Sequence, residues 1–281
     1  MAQDAITVTP TDGACGALIE GVDLSQQLSA ETVQAIRQAW LEHHVVVFPK
    51  QDISDDDLER FSLLMGDFAG DPYLPTIEGR DHIVELRRGA NEQAPIFAEA
   101  WHTDWSFGEN PPAATILHGI TIPPQGGNTG FINQHKALAE MPPELRQRLE
   151  GKNALHSAKA AYAPDGLYGE REKDSDRAMK IIYSEDANKV QAHPIIRKHP
   201  ETGEETLFGC FGYIIGIEGM EGDEEIQLLS DLYNWQTREE FQYSHRWEPG
   251  MVVMWDNRSV LHRANGGYEG YERVLHRTVV R

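Results

Sequence analysis

The sequence predicts a mainly β protein with helices packed against its strands. From Ile83 onward, the β-branched and aromatic segments are short, and turns rich in proline and glycine separate them, as at residues 110–112, 123–127 and 249–250. This alternation of short strands and turns is typical of an all-β sandwich or barrel. No internal repeat of about 20 to 50 residues is visible, which argues against a solenoid or a propeller.

Helix and strand alternate in the first part of the chain. Residues 29–43 are predicted to form a helix, and the β-branched run at residues 45–48 then predicts a buried strand. Ser54, followed by three aspartates, predicts the capped start of a second helix, because a hydroxyl cap and acidic residues in the first turn both stabilise a helix N-terminus. Gly66 marks the end of that helix.

Two helical insertions are predicted within the β region, at residues 136–150 and 223–235. Between them, residues 158–190 are polar, carry a run of charges at 170–174 and contain few periodic apolar positions. We interpret this segment as a mobile loop or lid, and a plain solvated loop is the alternative. Because no long linker rich in proline, serine or glycine divides the chain, residues 1–281 are predicted to form one domain.

The composition is that of an ordinary globular protein with a strong negative charge. The chain has 281 residues, of which 40% are hydrophobic, and its 25 Lys and Arg residues against 45 Asp and Glu residues give a net charge of -20. A field of this sign repels nucleic acid and anionic lipid. We therefore expect neither a nucleic-acid nor a membrane partner, and any anionic ligand must be captured by local arginines.

Cysteine usage and the N-terminus favour a cytoplasmic protein. Cys15 and Cys210 are far apart and lack the spacing of a zinc knuckle, so neither a disulfide framework nor a structural zinc site is expected. Residues 1–11 have no basic or apolar signal region, and no apolar run approaches the roughly 20 residues of a membrane-spanning helix.

Three residues are candidate ligands of a metal ion. His102 and Asp104 are two positions apart, so both would lie on one face of a strand, and His262 follows a hydrophobic strand and a tight polar turn. Two histidines and one carboxylate leave three positions of an octahedral ion open, which is the arrangement of non-haem Fe(II) oxygenases. A single His-x-Asp pair is common by chance, and a histidine at a strand end beside a turn aspartate is the alternative.

Two arginines share one face of the last predicted strand. Arg273, Leu275 and Arg277 alternate with residues of the opposite face. Arginines in an apolar strand are costly unless each meets an anion. This face is therefore predicted to have two anionic partners, which are either ligands or structural carboxylates of this acidic chain.

Together these motifs resemble the Fe(II)/2-oxoglutarate-dependent dioxygenases of the taurine dioxygenase and 2,4-dichlorophenoxyacetate dioxygenase family. The resemblance extends over nearly the whole chain and implies a double-stranded β-helix (jelly-roll) core with the metal between its two sheets. The matching blocks are residues 21–24, 46–48 with 51, 61–66, 101–107 with 111–113, 124–129, 193–194, 199–200, 255–262 and 273–277.

The resemblance also implies roles for individual residues. The iron ligands and catalytic centre are His102, Asp104 and His262; Thr129 and Arg273 bind the distal carboxylate of the co-substrate 2-oxoglutarate; and Arg277 binds the anionic group of the substrate. The implied reaction uses O2 to hydroxylate a small organic anion next to a heteroatom, with release of succinate and CO2. The candidate anions are aryloxyalkanoates, sulfonates and alkyl sulfates. The resemblance further implies a homo-oligomer.

The substrate region departs from the family pattern. Asp71 and Leu74 stand where taurine dioxygenases have a sulfonate-binding histidine and a tyrosine, and Ala98 stands where an asparagine helps to place taurine. Asp71 is a candidate substrate-binding residue that could pair with a cation of the substrate, or it turns outward as an exposed loop residue. The outward orientation is the favoured interpretation.

Aromatic residues and two other functions complete the expectations. Phe211 is a candidate substrate-binding residue that, with Trp105, Phe107 and Phe208, could line an apolar pocket, although aromatics at strand spacing are more often core. The alternative functions are a non-catalytic, cupin-like metal-binding jelly-roll protein and a zinc hydrolase. The arginine pair with Thr129 favours the dioxygenase, because a simple cupin has no need of it.

Overall fold

The structure of the protein is a computed structural model, and the residues described are 6–281, except for the side chains of residues 173 and 174. Residues 1–5 of the predicted single domain lie outside the described residues. The helices are α1 (Ala30–His43), α2 (Asp55–Met65), α3 (Gln134–Ala139), α4 (Pro143–Leu149), α5 (Lys159–Tyr162) and α6 (Asp223–Gln236), with short 3-10 helices at Glu170–Asp174, Glu185–Asn188 and Glu239–Phe241. The strands are β1 (Thr7–Pro10), β2 (Ala17–Glu20), β3 (Val45–Phe48), β4 (Val84–Arg88), β5 (Ala114–Thr121), β6 (Thr129–Asn133), β7 (Asn153–His156), β8 (Gln191–Pro194), β9 (Ile196–Lys198), β10 (Glu205–Leu207), β11 (Ile214–Ile217), β12 (Gln242–His245), β13 (Val252–Asp256), β14 (Val260–Ala264) and β15 (Arg273–Val280).

The strands form one large sheet and three small ones. The large sheet has the order β1-β2-β3-β13-β5-β15-β4, and all of its pairs are antiparallel except β2 with β3. A second sheet has the order β12-β6-β14, and the two remaining sheets are β11-β7-β8 and β9-β10. The prediction of a mainly β protein with flanking helices is therefore confirmed.

Apolar residues cover both faces of the large sheet. One face packs against α1 and α2, where Trp40 and Phe61 meet Val46 and other strand residues. The opposite face packs against the second sheet through a cluster that contains Phe131 of β6 and Trp255 of β13. Burial of each such side chain contributes roughly 1.5 to 3 kcal/mol to the free energy of folding. The space between the two sheets is thus part of the core, and the polar residues described below interrupt it.

The first two helices begin as their sequences predict. The Ser29 hydroxyl accepts a hydrogen bond from the backbone of Thr32, and Ser54 and Asp57 form a reciprocal capping box at the start of α2. Gly66 caps the end of α2.

The later helical insertions differ in how well their bounds were predicted. The insertion at residues 223–235 is α6, which extends one residue further to Gln236. The single helix expected at 136–150 is wrong, since α3 ends at Ala139 and α4 begins at Pro143. Pro142 and Pro143 cannot donate backbone hydrogen bonds to a preceding turn, so they break the helix, and Pro143 opens the next one.

Residues 158–190 form a packed segment, which we call the cover segment. Tyr162, Tyr168 and Met179 are buried in it, and the ring of Tyr162 stacks on Tyr73 with centroids 4.1 Å apart. The alternative of a plain solvated loop is therefore wrong, while the mobility of the segment stays a prediction. Its few apolar residues are not periodic because it contains only short helical turns.

Two further features concern the whole described chain. No helix within residues 6–281 combines the length and the apolar character that crossing a bilayer requires. Cys15 and Cys210 are free and buried, and burial raises the pKa of each thiol to about 12. Both thiols are therefore protonated and unreactive at neutral pH.

Candidate active site

A buried group of two histidines and one aspartate lies between the large and the second sheet. One ligand atom from each of His102, Asp104 and His262 lies within 4.8 Å of the others. His102 and His262 are held opposite each other by two backbone hydrogen bonds of 3.0 and 2.8 Å. The structure therefore brings the three candidate metal ligands together.

The local backbone differs from the strand that the His-x-Asp spacing predicts. His102 forms only an isolated bridge to His262, and the chain turns directly after Asp104. Trp105 has a φ of 48°, which places it in the left-handed region. The regular strand is wrong because this turn ends the pairing, yet the turn still directs Asp104 toward both histidines.

The orientation of the three side chains suits a metal ion. The Nε2 atoms of His102 and His262 lie 3.5 and 3.6 Å from Oδ1 of Asp104. Nδ1 of His102 donates to the carbonyl oxygen of Ala100 at 2.9 Å, which leaves the Nε2 lone pair directed at the site. Burial lowers the pKa of His262 to about 3, so this ring is neutral. Burial alone would raise the pKa of Asp104, but His262, His102 and Arg277 hold it below its usual range.

A buried hydrogen-bond chain fixes Asp104 from behind. Thr115 of β5 donates to Oδ2 of Asp104 at 2.6 Å, and Nδ2 of Asn257 donates to the Thr115 hydroxyl at 2.9 Å. The indole of Trp255 donates to Oδ1 of Asn257 at 3.0 Å. Such contacts orient a ligand and raise metal affinity. Sequence reasoning missed Thr115, whose one signal is that it is a polar residue in an apolar strand.

A cavity beside the three ligands has two polar ends, each with one arginine of β15. Arg273, Leu275 and Arg277 all line this cavity, so the predicted alternation of the strand is correct. Thr129 and Tyr268 lie near Arg273, and we call this region the Arg273 end. Asp71, Tyr162 and Tyr213 lie near Arg277, and we call this region the Arg277 end.

The Arg273 end carries an uncompensated positive charge. Arg273 is buried and donates from Nη2 to the carbonyl oxygen of Gly127 at 3.1 Å, but its Nε has no hydrogen-bond partner within residues 6–281. It makes no ion pair with a carboxylate in that range, and burial lowers its pKa. The Thr129 hydroxyl accepts a hydrogen bond from the indole of Trp247 at 2.9 Å and keeps its own proton to donate. These donors suit a carboxylate.

The Arg277 end contains its own counter-ion. Asp71 pairs with Nη2 of Arg277 through Oδ2, and its Oδ1 accepts hydrogen bonds from the backbone of Tyr73 and Leu74 at 2.8 and 2.7 Å. The Asp71 side chain is 4% exposed. The outward orientation that the sequence favours is therefore wrong, because the turn at 71–74 directs the carboxylate to a buried cation. Burial would lower the pKa of Arg277, but Asp71 and Asp104 raise it.

Phe211 does not line the cavity, so its predicted contact with substrate is wrong. Its side chain is 46% exposed and packs on Tyr233 of α6, with ring centroids 5.4 Å apart. The turn that contains it places the next residue, Gly212, against the carbonyl oxygen of Trp101 and Cβ of His102, which leaves Phe211 on the outside. Of the other aromatic candidates, Trp105 lines the cavity, whereas Phe107 and Phe208 do not.

The chain matches known proteins along almost its full length. A family model described as the taurine catabolism dioxygenase TauD, TfdA family matches residues 7–279. The chain is 35% identical to an alkylsulfatase of Acinetobacter baylyi, over 94% of this chain and 81% of that protein. It is 34% identical to an alpha-ketoglutarate-dependent sulfate ester dioxygenase of Pseudomonas putida, over 98% of this chain and 89% of the relative.

A solved structure shows the same architecture. The crystal structure of a taurine dioxygenase from Burkholderia xenovorans superposes with a TM-score of 0.81 at 31% sequence identity, and the match covers 99% of this chain and 91% of that one. The prediction of a double-stranded β-helix core is therefore confirmed.

Proposed function

The chain belongs to the TauD, TfdA family of dioxygenases, and from this premise we propose that it uses Fe(II), 2-oxoglutarate and O2 to hydroxylate a small organic anion next to a heteroatom. The protein is an alpha-ketoglutarate-dependent dioxygenase, as its family and its relatives establish. The non-catalytic, cupin-like alternative is thereby set aside. The main support for the proposal is that one cavity is lined both by the group of two histidines and one carboxylate and by an arginine without a counter-ion among residues 6–281.

The three buried side chains fit Fe(II). Two imidazole nitrogens and one carboxylate form a mixed donor set for a divalent ion of this kind and leave positions for other ligands. In our proposal His102, Asp104 and His262 hold the iron, and the hydrogen bond from Thr115 keeps Oδ1 of Asp104 turned toward it. When bound, Fe(II) couples the oxidative decarboxylation of 2-oxoglutarate to succinate and CO2 with hydroxylation of a substrate C–H bond.

The Arg273 end is proposed to bind the distal carboxylate of 2-oxoglutarate. Arg273 would donate to this group through the Nε that has no partner in the described chain, and Thr129 would donate its free hydroxyl proton. A charge-assisted pair of donors fixes both the position and the orientation of a carboxylate. Leu117 and Leu275 also line the cavity and would keep water from the bound co-substrate.

The Arg277 end is proposed to bind the substrate. Phe97, Trp105, Tyr162 and Tyr213 line the cavity and offer apolar surface to an alkyl or aryl group. The candidate substrates are alkyl sulfates, sulfonates and aryloxyalkanoates. Hydroxylation of the carbon that bears the heteroatom would let the product collapse to a carbonyl compound and release sulfate, sulfite or a phenol.

Assembly and location form part of the same proposal. We expect a cytoplasmic homo-oligomer that binds neither nucleic acid nor membranes, in keeping with its net charge of -20. Light scattering coupled to size-exclusion chromatography measures the oligomeric state directly, and a monomer would contradict this part.

An anaerobic optical titration tests the proposed reaction. The purified protein receives Fe(II) and 2-oxoglutarate, and then single members of a panel of alkyl sulfates, sulfonates and R and S aryloxypropionates. We expect a weak visible charge-transfer band with 2-oxoglutarate that one panel member shifts, and no band when Zn(II) replaces Fe(II). The variant Arg273→Gln should lose the band at the same 2-oxoglutarate concentration, whereas the exposed control Arg246→Gln should keep it. Iron binding without any band would contradict the proposal.

A further inference from the structure

Asp71 is a fixed part of the Arg277 end. Its Oδ1 accepts two backbone hydrogen bonds, from Tyr73 and Leu74, and its Oδ2 pairs with Arg277. Three donors therefore hold this carboxylate in one orientation, and its side chain is almost fully buried. A carboxylate held in this way is a fixed hydrogen-bond acceptor at this end of the cavity.

The ion pair changes what Arg277 offers to a ligand. Its charge is already balanced by Asp71, but its Nε has no partner among residues 6–281 and can still donate. A carboxylate oxygen accepts more than one hydrogen bond, so Oδ2 of Asp71 can still accept another donor. Since both residues line the cavity, the pair presents a donor and an acceptor side by side.

This arrangement disfavours a plain anion. A sulfate, sulfonate or carboxylate bound to Arg277 alone would lie beside the negative charge of Asp71, in a buried place where water screens the repulsion weakly. A hydroxyl or ammonium group next to the anionic group would instead donate to Asp71. Such a ligand satisfies both residues of the pair.

Resting on the proposed function, we infer that Asp71 is a specificity-determining residue that makes the site prefer an organic anion with a hydrogen-bond donor adjacent to its anionic group. In chemical terms, the favoured ligand class is a 2-hydroxy or 2-amino acid with an oxidisable C–H bond next to a heteroatom. Within the proposed substrate classes, members that lack such a donor are expected to bind less tightly than members that carry one.

Three matched ligands test this inference. They are 3-phenoxypropanoate and its 2-hydroxy and 2-amino derivatives, which share the carboxylate and the C–H bond beside the ether oxygen. Calorimetry measures their binding to the protein loaded with Mn(II) and 2-oxoglutarate, and phenol release is measured separately with Fe(II) and O2. We expect a hydroxy or amino derivative to bind at least about tenfold more tightly than the plain acid.

The variant Asp71→Asn removes the charge while its amide oxygen can still accept the hydrogen bonds of Tyr73 and Leu74. We expect it to bind the plain acid about tenfold more tightly than the unaltered protein does and to lose most of the preference. The control Asp165→Asn, at an exposed position of the cover segment, should change neither the affinity for the plain acid nor the preference for its hydroxy and amino derivatives. If Asp71→Asn does not fold, Asp71→Ser supplies the same comparison, because a serine hydroxyl can also accept from the turn.

The outcomes separate this inference from the proposed reaction. Equal or tighter binding of the plain acid by the unaltered protein, or an Asp71→Asn variant with unchanged preference, overturns the inference, and so does a failure of all three ligands to bind. The predicted order of binding without any phenol release or succinate formation would leave the role of Asp71 standing and would contradict the proposed reaction.

Discussion

The two arginines of β15 lie on one face of one strand, about 13 Å apart, yet they have opposite surroundings. Arg273 makes no ion pair with a carboxylate of residues 6–281, and burial lowers its pKa. Arg277 pairs with Asp71, and Asp71 and Asp104 raise its pKa despite burial. The spacing of a strand thus determines which face an arginine occupies, but the loop that packs against it decides whether its charge is left for a ligand.

The difference has an energetic meaning. A buried charge without a partner is costly, so the Arg273 end is favourable only when an anion occupies it. A buried ion pair is close to neutral in its contribution to stability, but it becomes strongly destabilising when one partner is removed. We therefore expect Arg273 to contribute mainly to ligand binding and Arg277 to contribute to folding as well.

Removal of a proposed metal ligand should give the largest effect, because in the proposed reaction the co-substrate and the substrate both react at the ion that this ligand would hold. We expect Asp104→Ala to lower succinate formation by more than about 1,000-fold, since the iron would lose its only carboxylate ligand from the trio. Turnover is measured with saturating Fe(II), and circular dichroism checks the fold. Succinate formation at an unchanged rate would contradict the assignment of the metal site.

The stability of two matched variants sharpens the contrast between the arginines. We expect Arg277→Met to lower the free energy of unfolding by about 3 to 5 kcal/mol, because it leaves Asp71 buried without its cation. In Arg273→Met the free energy of unfolding should be equal to or higher than that of the unaltered protein, because an unpaired buried charge is removed.

Urea unfolding without added ligands measures both variants, and the double variant Asp71→Asn with Arg277→Met serves as the control. This double variant should recover part of the loss, since it no longer contains the unpaired carboxylate. Equal destabilisation by Arg273→Met and Arg277→Met would contradict the difference between the two ends.

A smaller effect is expected from the hydrogen-bond chain behind Asp104. Thr115→Val removes the donor to Oδ2 of Asp104 and should weaken Fe(II) binding by about 10- to 100-fold. Competition with a chromophoric chelator under anaerobic conditions measures this affinity. The control Thr206→Val, a buried threonine whose hydroxyl donates to the carbonyl oxygen of Leu207, should leave metal affinity unchanged. If Thr115→Val binds Fe(II) as tightly as the unaltered protein does, the hydrogen-bond chain from Thr115 does not position Asp104.

The smallest predicted effects come from single hydroxyl groups at the two ends. Thr129→Val should raise the KM for 2-oxoglutarate about fivefold to tenfold and leave the KM of the other substrate unchanged, because a net hydrogen bond contributes about 1 kcal/mol. Tyr213→Phe, at the Arg277 end, should instead raise the KM for the organic substrate and leave the KM for 2-oxoglutarate unchanged. Steady-state kinetics with each reactant varied in turn measures both, and the same pattern in the two variants would contradict separate binding ends.

Much of the fold could be predicted because its signals are local. The caps at Ser29 and Ser54 and the apolar run at residues 45–48 each depend on neighbours in the sequence, and each forms as expected. The break between α3 and α4 was missed although Pro142 and Pro143 are visible in the sequence, because the apolar and helix-favouring residues on both sides suggested continuity.

The site was predictable in part. Residue types and spacing made His102, Asp104 and His262 candidate ligands, the family resemblance implied them as the ligand set, and the structure brings them together. The orientation of Asp71 depends on a local turn and on its distant partner Arg277, and the exposure of Phe211 depends on packing against the distant helix α6. The sequence around each residue does not reveal these distant partners.

The binding of 2-oxoglutarate to two matched arginine variants tests the central claim most directly. Calorimetry follows the anaerobic titration of the Fe(II)-loaded protein and of its Arg273→Gln and Arg277→Gln variants. The claim that an uncompensated charge at the Arg273 end binds the co-substrate predicts that Arg273→Gln weakens binding by about 100-fold or more, whereas Arg277→Gln changes it by less than about threefold. Equal losses in both variants, or a loss confined to Arg277→Gln, would contradict it.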